Sequence, residues 1–174
     1  MKKLSAMALA WVVGVGVCAA LAAQALHTKT LEGTDGALIK TGGAKAQPAA
    51  ITAKKYLFIY FSAHWCPPCR AFTPRLVEFY NQNAKNGDFE LLFVSSDKDQ
   101  ASMEKYMSET KMPWVGLQLK NQRTEALQKQ FGVDGIPCLV LLDDKDNVLA
   151  SSFEGQNYLG PDVALKKYLA LHKQ

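Results

Sequence analysis

The sequence predicts an α/β fold with a central mixed β-sheet. Apolar and aromatic runs, each about the length of one strand, alternate along the chain with segments whose apolar residues recur at helical spacing. The last two apolar runs are separated only by the turn sequence DDKDN, residues 143–147. Because parallel strands need a crossover of about a dozen residues or more, this last pair must be antiparallel, whereas the longer connections before it permit parallel strands.

Four apolar runs predict the strands. The first, YLFIYFSA at 56–63, is apolar or aromatic over nearly its whole length, which is typical of a strand buried on both faces. The others are FELLFVS at 89–95, IPCLVLLD at 136–143 and VLASSF at 148–153.

The first predicted helix begins at Pro67. Its apolar face consists of residues at positions i, i+4, i+7 and i+8, namely Phe72, Leu76, Phe79 and Tyr80. Pro67 and Pro68 suit a first helical turn, whereas Pro74 should kink the helix. Three further helices are predicted, at 97–110, 121–132 and 161–173. Asp97 or Asp99 is the expected N-cap of the second helix.

The chain length of 174 residues suits one domain with a short extension. Residues 1–25 combine a basic start, an apolar run and small residues at the end, which is the build of a secretory signal. We therefore expect export to the bacterial periplasm. An uncleaved anchor that tethers the protein to the membrane is the alternative, because the run is nearly long enough to span a bilayer. Residues 26–50, rich in Gly, Ala, Thr and Lys, are predicted as a linker that could include an edge strand at 37–40, and 51–174 as the folded domain.

Charge and composition exclude one class of partner. The net charge is only +4, and we find no dense stripe of Lys and Arg interleaved with aromatic residues. We therefore expect no nucleic-acid partner.

The stretch FSAHWCPPCRAFTP, residues 61–74, carries the candidate chemistry. Cys66 follows a buried strand and opens a helix, where unpaired N–H groups and the helix dipole favour the thiolate, the reactive form of cysteine. Cys69 lies about one helical turn later on the same side. Such a pair can attack a substrate disulfide and then resolve the mixed disulfide. The two prolines between the cysteines stiffen the loop and should tune its reduction potential.

Two other roles for the cysteine pair are weaker. A structural disulfide across so small a loop would add little stability. A zinc site needs about four ligands, and of the three histidines, His27, His64 and His172, only His64 is near the pair. We therefore expect a redox pair with no metal and no other cofactor.

The combination of motifs resembles the thioredoxin superfamily. Besides the WCPPC motif, the stretches KMPW and FGVDGIP are similar to the tryparedoxin and nucleoredoxin branch, and the resemblance runs from about residue 38 to the C-terminus. It implies a three-layer α/β/α sandwich around the mixed sheet. It also implies that Cys66 is the exposed attacking thiol and Cys69 the buried resolving one. Trp65 would shield the site, and a cis Pro137 would leave the Ile136 backbone free to pair with a substrate chain.

Several positions depart from the family pattern or have two interpretations. Tyr60 stands where thioredoxins carry a buried aspartate, so the proton acceptor for Cys69 is open. Cys138 stands where they usually carry threonine, either as a small buried residue or as a third thiol able to rearrange with the pair. His64 and Arg70 either modulate the thiolate or only face solvent. Trp114 either packs near the site or anchors its own loop.

We therefore expect an exported thiol–disulfide oxidoreductase, acting as a protein-disulfide reductase through Cys66 and Cys69. Its partners would be disulfide-containing proteins and an unidentified upstream dithiol donor, and the protein would be a monomer. A dedicated periplasmic reductase of cytochrome c maturation and a redox-inert binding module are the alternatives.

Overall fold

The computed structural model describes residues 25–173, so the predicted signal segment lies outside the described residues except for its last residue. The strands are β1 (Leu38–Ile39), β2 (Tyr56–Ser62), β3 (Phe89–Ser95), β4 (Val115–Leu117), β5 (Cys138–Leu142), β6 (Val148–Ser151), β7 (Phe153–Glu154) and β8 (Asn157–Tyr158). The helices are α1 (Ala49–Thr52), α2 (Pro67–Asn83), α3 (Gln100–Glu109), α4 (Gln122–Gln130) and α5 (Asp162–Leu171). Within the part of the chain that the structure describes, no helix has the length and apolar composition to cross a bilayer.

Six strands form one mixed sheet in the order β1-β4-β3-β2-β5-β6, and β7 pairs with β8 in a separate hairpin. β2 is parallel to β3 and antiparallel to β5, and β6 is antiparallel to β5. The predicted mixed sheet and its antiparallel final pair are therefore confirmed. β5 begins at Cys138 rather than at residue 136, consistent with Pro137, which has no N–H to donate to a ladder.

Alternate residues of β2 enter two separate cores, which makes the fold three-layered. Tyr56, Phe58 and Tyr60 pack in one hydrophobic cluster with residues of α2, α3 and α5. Leu57, Ile59 and Phe61 pack in the other, together with residues of α1 and α4. The period of two along a strand places successive side chains on opposite faces, and both faces are apolar here, as the sequence of β2 predicts.

Residues 26–50, predicted as a linker that could include an edge strand, pack against the domain, and the edge strand is present. β1 pairs with β4 at the edge of the sheet, with Leu38 opposite Leu117. Leu31, Leu38 and Ile39 are buried, and Leu31 and Leu38 belong to the second core. The few apolar residues in this Gly- and Lys-rich stretch are thus the ones that cover the sheet. The average composition of the segment does not reveal them.

The side chain of His27 attaches this segment to the far end of the sheet. Its ring is fully buried, with Nδ1 3.0 Å from an Asp146 carboxylate oxygen and Nε2 2.9 Å from the Lys54 carbonyl oxygen. Lys54 lies two residues before the start of β2, and the seven residues of β2 separate it from the cysteine motif. Residues 25–27 therefore lie at the end of the domain opposite the cysteines.

Candidate active site

The two cysteines of the motif form a disulfide at the N-terminus of α2. Their Cα atoms are 5.2 Å apart, and Cys66 is the N-cap residue, whose Sγ accepts a hydrogen bond of 3.3 Å from the Cys69 N–H. Cys69 is fully buried and Cys66 is 4% exposed. Cys66 is thus less accessible than the exposed thiol that the resemblance implied, because Ala63 and Ile136 pack against the pair.

A second loop meets the disulfide from the start of β5. The Ile136–Pro137 peptide bond is cis, and the Ile136 carbonyl oxygen lies 3.8 Å from Cys66 Sγ. Pro137 is buried and Ile136 half-buried. The structure therefore brings together the two motifs that are about seventy residues apart in the sequence.

The loop before the cysteines is held by the end of β3. The His64 N–H donates to Asp97 Oδ1 at 2.9 Å, and the Ser95 hydroxyl donates to the other oxygen of the same carboxylate at 2.9 Å. The Trp65 indole N–H donates to the Ser96 carbonyl at 3.0 Å, while 58% of the Trp65 side chain stays exposed. Trp65 therefore presents a fixed aromatic surface beside the disulfide.

Asp97 is a site residue for which the sequence favoured a different role. It was a candidate N-cap of α3, but Asp99 is the N-cap, and its carboxylate accepts from the Ser102 N–H at 2.7 Å. The sequence did indicate a second role, because Asp97 ends a strand on the side of the sheet where α/β sites form, but the cap was the favoured interpretation.

Of the two predicted modulators next to the cysteines, His64 contacts α3, whereas Arg70 faces solvent. The His64 ring packs against Tyr106, with ring centroids 5.6 Å apart, and its Nε2 lies 2.9 Å from a Glu109 carboxylate oxygen. Arg70 is exposed and forms no ion pair with any residue in the range 25–173. Pro67 and Pro68 are exposed on the first turn of α2.

Beneath the cysteines lies a cluster of buried hydroxyl groups. The Tyr60 hydroxyl is 2.8 Å from Thr73 Oγ1 and 3.5 Å from the Cys69 carbonyl oxygen. Thr73 Oγ1 also donates to that carbonyl at 2.9 Å and contacts the Tyr106 hydroxyl. Burial raises the pKa of Tyr60 well above its ordinary value of 10. Tyr60 is therefore a neutral phenol at physiological pH.

Cys138 and Trp114 lie outside this site. The Cys138 side chain is buried in the core on the opposite face of the sheet from α2, and desolvation raises the pKa of its thiol to about 11. This placement favours its interpretation as a small buried residue over that of a third reactive thiol. Trp114 packs edge to face on Tyr80, near the other end of α2, with ring centroids 5.5 Å apart.

The arrangement suits thiol chemistry. A cysteine at a helix N-cap has backbone N–H groups and the dipole directed at its sulfur, which stabilises a thiolate there. Among residues 25–173 there is no group of three or more His, Cys, Asp or Glu side chains that could hold a metal ion.

Comparison with known proteins agrees with this geometry. A thioredoxin-like family model matches residues 54–148. Probable nucleoredoxin 1 of Arabidopsis thaliana is 46% identical over 121 residues, which cover 69% of this chain and 20% of that protein. Tryparedoxin of Trypanosoma brucei brucei is 42% identical over 90 residues, which cover 51% of this chain and 61% of that protein.

The fold is shared with solved relatives. The crystal structure of native tryparedoxin I from Crithidia fasciculata matches with a TM-score of 0.62 and 35% identity, over 71% of this chain and 84% of that one. The chain spans about a fifth of the nucleoredoxin and about three fifths of the Trypanosoma tryparedoxin. With the family model matching more than half of its length and the same fold in solved relatives, the chain belongs to the thioredoxin-like family.

Proposed function

We propose that the protein is a thiol–disulfide oxidoreductase that reduces disulfides in other proteins through Cys66 and Cys69. The observation that carries this proposal is the position of the pair. Cys66 Sγ caps the N-terminus of the 17-residue helix α2 and lies 3.8 Å from the Ile136 carbonyl, at the meeting point of two loops. No further cofactor takes part in this chemistry.

The reaction has two balanced steps. In the reduced protein, the Cys66 thiolate attacks one sulfur of a substrate disulfide, forms a mixed disulfide and releases one substrate thiolate. Cys69 then attacks Cys66 Sγ, which re-forms the Cys66–Cys69 disulfide and releases the second substrate thiol. An upstream dithiol donor returns the pair to the dithiol form by the same exchange in reverse.

Protein substrates suit the surface around the pair. Trp65 is the most exposed large apolar side chain in the described part of the chain, and its ring orientation is fixed by the hydrogen bond to Ser96. Aromatic side chains with one polar anchor are typical of surfaces that bind polypeptides. The protein would act as a monomer, with no nucleic-acid partner.

Insulin reduction with a dithiol donor tests the proposal. The wild type should accelerate the precipitation of the insulin B chain, and Cys66→Ser should be inactive. Cys69→Ser should accumulate a mixed disulfide with the substrate, visible by mass spectrometry. Equal rates for the wild type and Cys66→Ser would refute the proposal.

Two alternative functions can be distinguished from the proposed reductase. The comparisons give no support to a reductase dedicated to cytochrome c maturation. A redox-inert binding module would have a disulfide with a potential below about −300 mV, as structural disulfides do. A measured potential well above that value would exclude the inert module.

We further propose that the protein is exported to the periplasm, either free or tethered by residues 1–25. The attachment of His27 places residues 25–27 at the end of the domain opposite the cysteines. With this geometry, a tether would leave the disulfide directed away from the membrane. Cell fractionation and N-terminal sequencing of the mature protein test this proposal, and recovery in the cytoplasm with residue 1 intact would refute it.

A further inference from the structure

Four hydroxyl groups from three elements meet beneath the first turn of α2. They belong to Tyr60 and Ser62 of β2, Thr73 of α2 and Tyr106 of α3, and all four side chains are fully buried. The disulfide exchange described above uses none of them. Buried hydroxyls without partners are unfavourable, and here each one finds a partner in the cluster.

The Cys69 carbonyl sets the direction of every hydrogen bond in the cluster. A carbonyl oxygen can only accept, and the hydroxyls of Thr73 and Tyr60 lie 2.9 Å and 3.5 Å from the Cys69 oxygen. The shorter contact takes the single hydroxyl proton of Thr73. Tyr60 and Tyr106 must then both donate to Thr73 Oγ1, which uses its two lone pairs. Ser62 in turn donates to the Tyr106 oxygen at 3.1 Å. Thr73 is therefore the hub of the cluster.

Thr73 lies in a part of α2 where the helix lacks one of its own backbone hydrogen bonds. Pro74 is inside α2, and because proline has no N–H, the Arg70 carbonyl has no donor four residues later. The turn that carries Cys69 is instead connected to β2 and α3 through the Thr73 hydroxyl. This connection matters most after Cys66 has bonded to a substrate, because the link between the two cysteines is then absent.

We infer that Thr73, together with Tyr60 and Tyr106, is a positioning group for the second step of the exchange. It holds the turn of Cys69 so that Cys69 Sγ reaches Cys66 Sγ in the mixed disulfide. In that step, the Cys69–Cys66 S–S bond forms, the bond from Cys66 to the substrate sulfur breaks, and the Cys69 proton leaves with the substrate thiol. The inference rests on the proposed function, since it concerns the same pair.

The reaction of the reduced protein with DTNB separates the two steps. Attack by Cys66 releases one TNB anion, and attack by Cys69 on the mixed disulfide releases a second. Cys18→Ala and Cys138→Ala are introduced in every protein, so that only the thiols of Cys66 and Cys69 react. Thr73→Val removes the hub at nearly constant shape, and Thr73→Ser is the matched control that keeps the hydroxyl.

In Thr73→Val, we expect the first release to keep its rate and the second to slow about tenfold, which corresponds to about 1.4 kcal/mol of activation free energy. Thr73→Ser should restore the second rate. Tyr106→Phe removes one donor and leaves the hub, so its second release should slow by a smaller factor. If Thr73→Val does not fold, the comparison of Tyr106→Phe with the wild type decides.

The outcomes are distinguishable. A second release that is unchanged, or a slowing of both releases by the same factor, would overturn the inference and leave the proposed function intact. If the wild type itself releases no second TNB anion, the proposed function fails.

Discussion

The replacement of Asp97 tests whether the end of β3 positions the active-site loop. Asp97 is 8% exposed, and its carboxylate accepts from the His64 N–H and the Ser95 hydroxyl, both at 2.9 Å. Hydrogen bonds to an ionised group contribute about 1.5–3 kcal/mol each. Asp97→Ala removes both bonds and leaves two donors without a partner. We therefore expect the free energy of unfolding to fall by about 3 kcal/mol.

Thermal unfolding of the oxidised protein measures this loss. For a domain of about 150 residues, 1 kcal/mol corresponds to about 2–4 °C in Tm. Asp97→Ala should therefore lower Tm by about 6–12 °C. If the activation free energy of the disulfide exchange rises by about 1 kcal/mol as a result, the rate of insulin reduction falls about fivefold. Asp97→Asn, which keeps one acceptor oxygen, should lie between the wild type and Asp97→Ala.

Asp99→Ala is the matched control, because the same residue type lies two positions away with a different contact. Asp99 caps α3 and makes no hydrogen bond to the active-site loop. Loss of an N-cap costs about 1 kcal/mol, so Asp99→Ala should lower Tm slightly and leave the insulin rate unchanged. Equal effects of the two alanine variants on both quantities would refute the positioning role of Asp97.

Three further predictions concern stability and accessibility. Burial raises the pKa of Cys138 to about 11, so at about pH 8 only about a thousandth of this thiol is ionised, and iodoacetamide should alkylate it only in denaturant. The His27 ring makes two buried hydrogen bonds, one of them to the Asp146 carboxylate at 3.0 Å, so His27→Ala should lower the free energy of unfolding in urea by about 2–4 kcal/mol. His172 Nδ1 lies 2.9 Å from the Tyr168 carbonyl oxygen, and its Nε2 lies 2.7 Å from an Asp88 carboxylate oxygen. Both contacts raise the pKa of His172, so they stabilise the fold fully below about pH 6.5, the ordinary value, and less as pH rises through the folded-state pKa. The wild type should therefore lose more stability than His172→Gln between about pH 6 and about pH 9.

Each of these predictions has a result that would contradict it. Alkylation of Cys138 in the native protein at the rate of an exposed thiol would show that the thiol is accessible. A urea midpoint of His27→Ala equal to that of the wild type would show that the segment before β1 is not held by this ring. Parallel pH profiles of the wild type and His172→Gln would remove the contribution assigned to the contact with Asp88.

The sequence predicted the elements whose apolar patterns are long. The run at 56–63 is β2 with a difference of one residue, and the stripe of α2 indeed lies in the core. The four-residue helix α1 and the hairpin of β7 and β8 are too short to show a period. Within residues 26–50, the edge strand predicted at 37–40 is present as β1. The other contacts of this segment with the domain were not predicted, because its buried residues are few and irregularly spaced and the average composition masks them.

Only those residues of the candidate site that stand in a recognisable motif could be predicted from the sequence. Cys66, Cys69 and Pro137 stand in motifs that have chemical meaning without a structure. Asp97 and Thr73 act through hydrogen bonds to residues of other elements. Thr73 lies within the stretch 61–74, but its residue type and spacing do not indicate its role. Their roles follow only from the distances between elements.

Tyr60 shows how the site differs from a thioredoxin with a buried aspartate at this position. Its phenol is neutral, because burial raises its pKa, and its hydroxyl group lies 2.8 Å from Thr73 Oγ1 and 3.5 Å from the Cys69 carbonyl oxygen. Tyr60 is therefore unsuited to take the proton of Cys69, and in the proposed exchange that proton goes to the departing substrate thiolate. Tyr60→Phe should accordingly change the rate of the second DTNB release without changing the shape of its pH profile. Loss of an ionisation from that profile in Tyr60→Phe would instead identify Tyr60 as a base, since only the removal of a titrating group changes the shape.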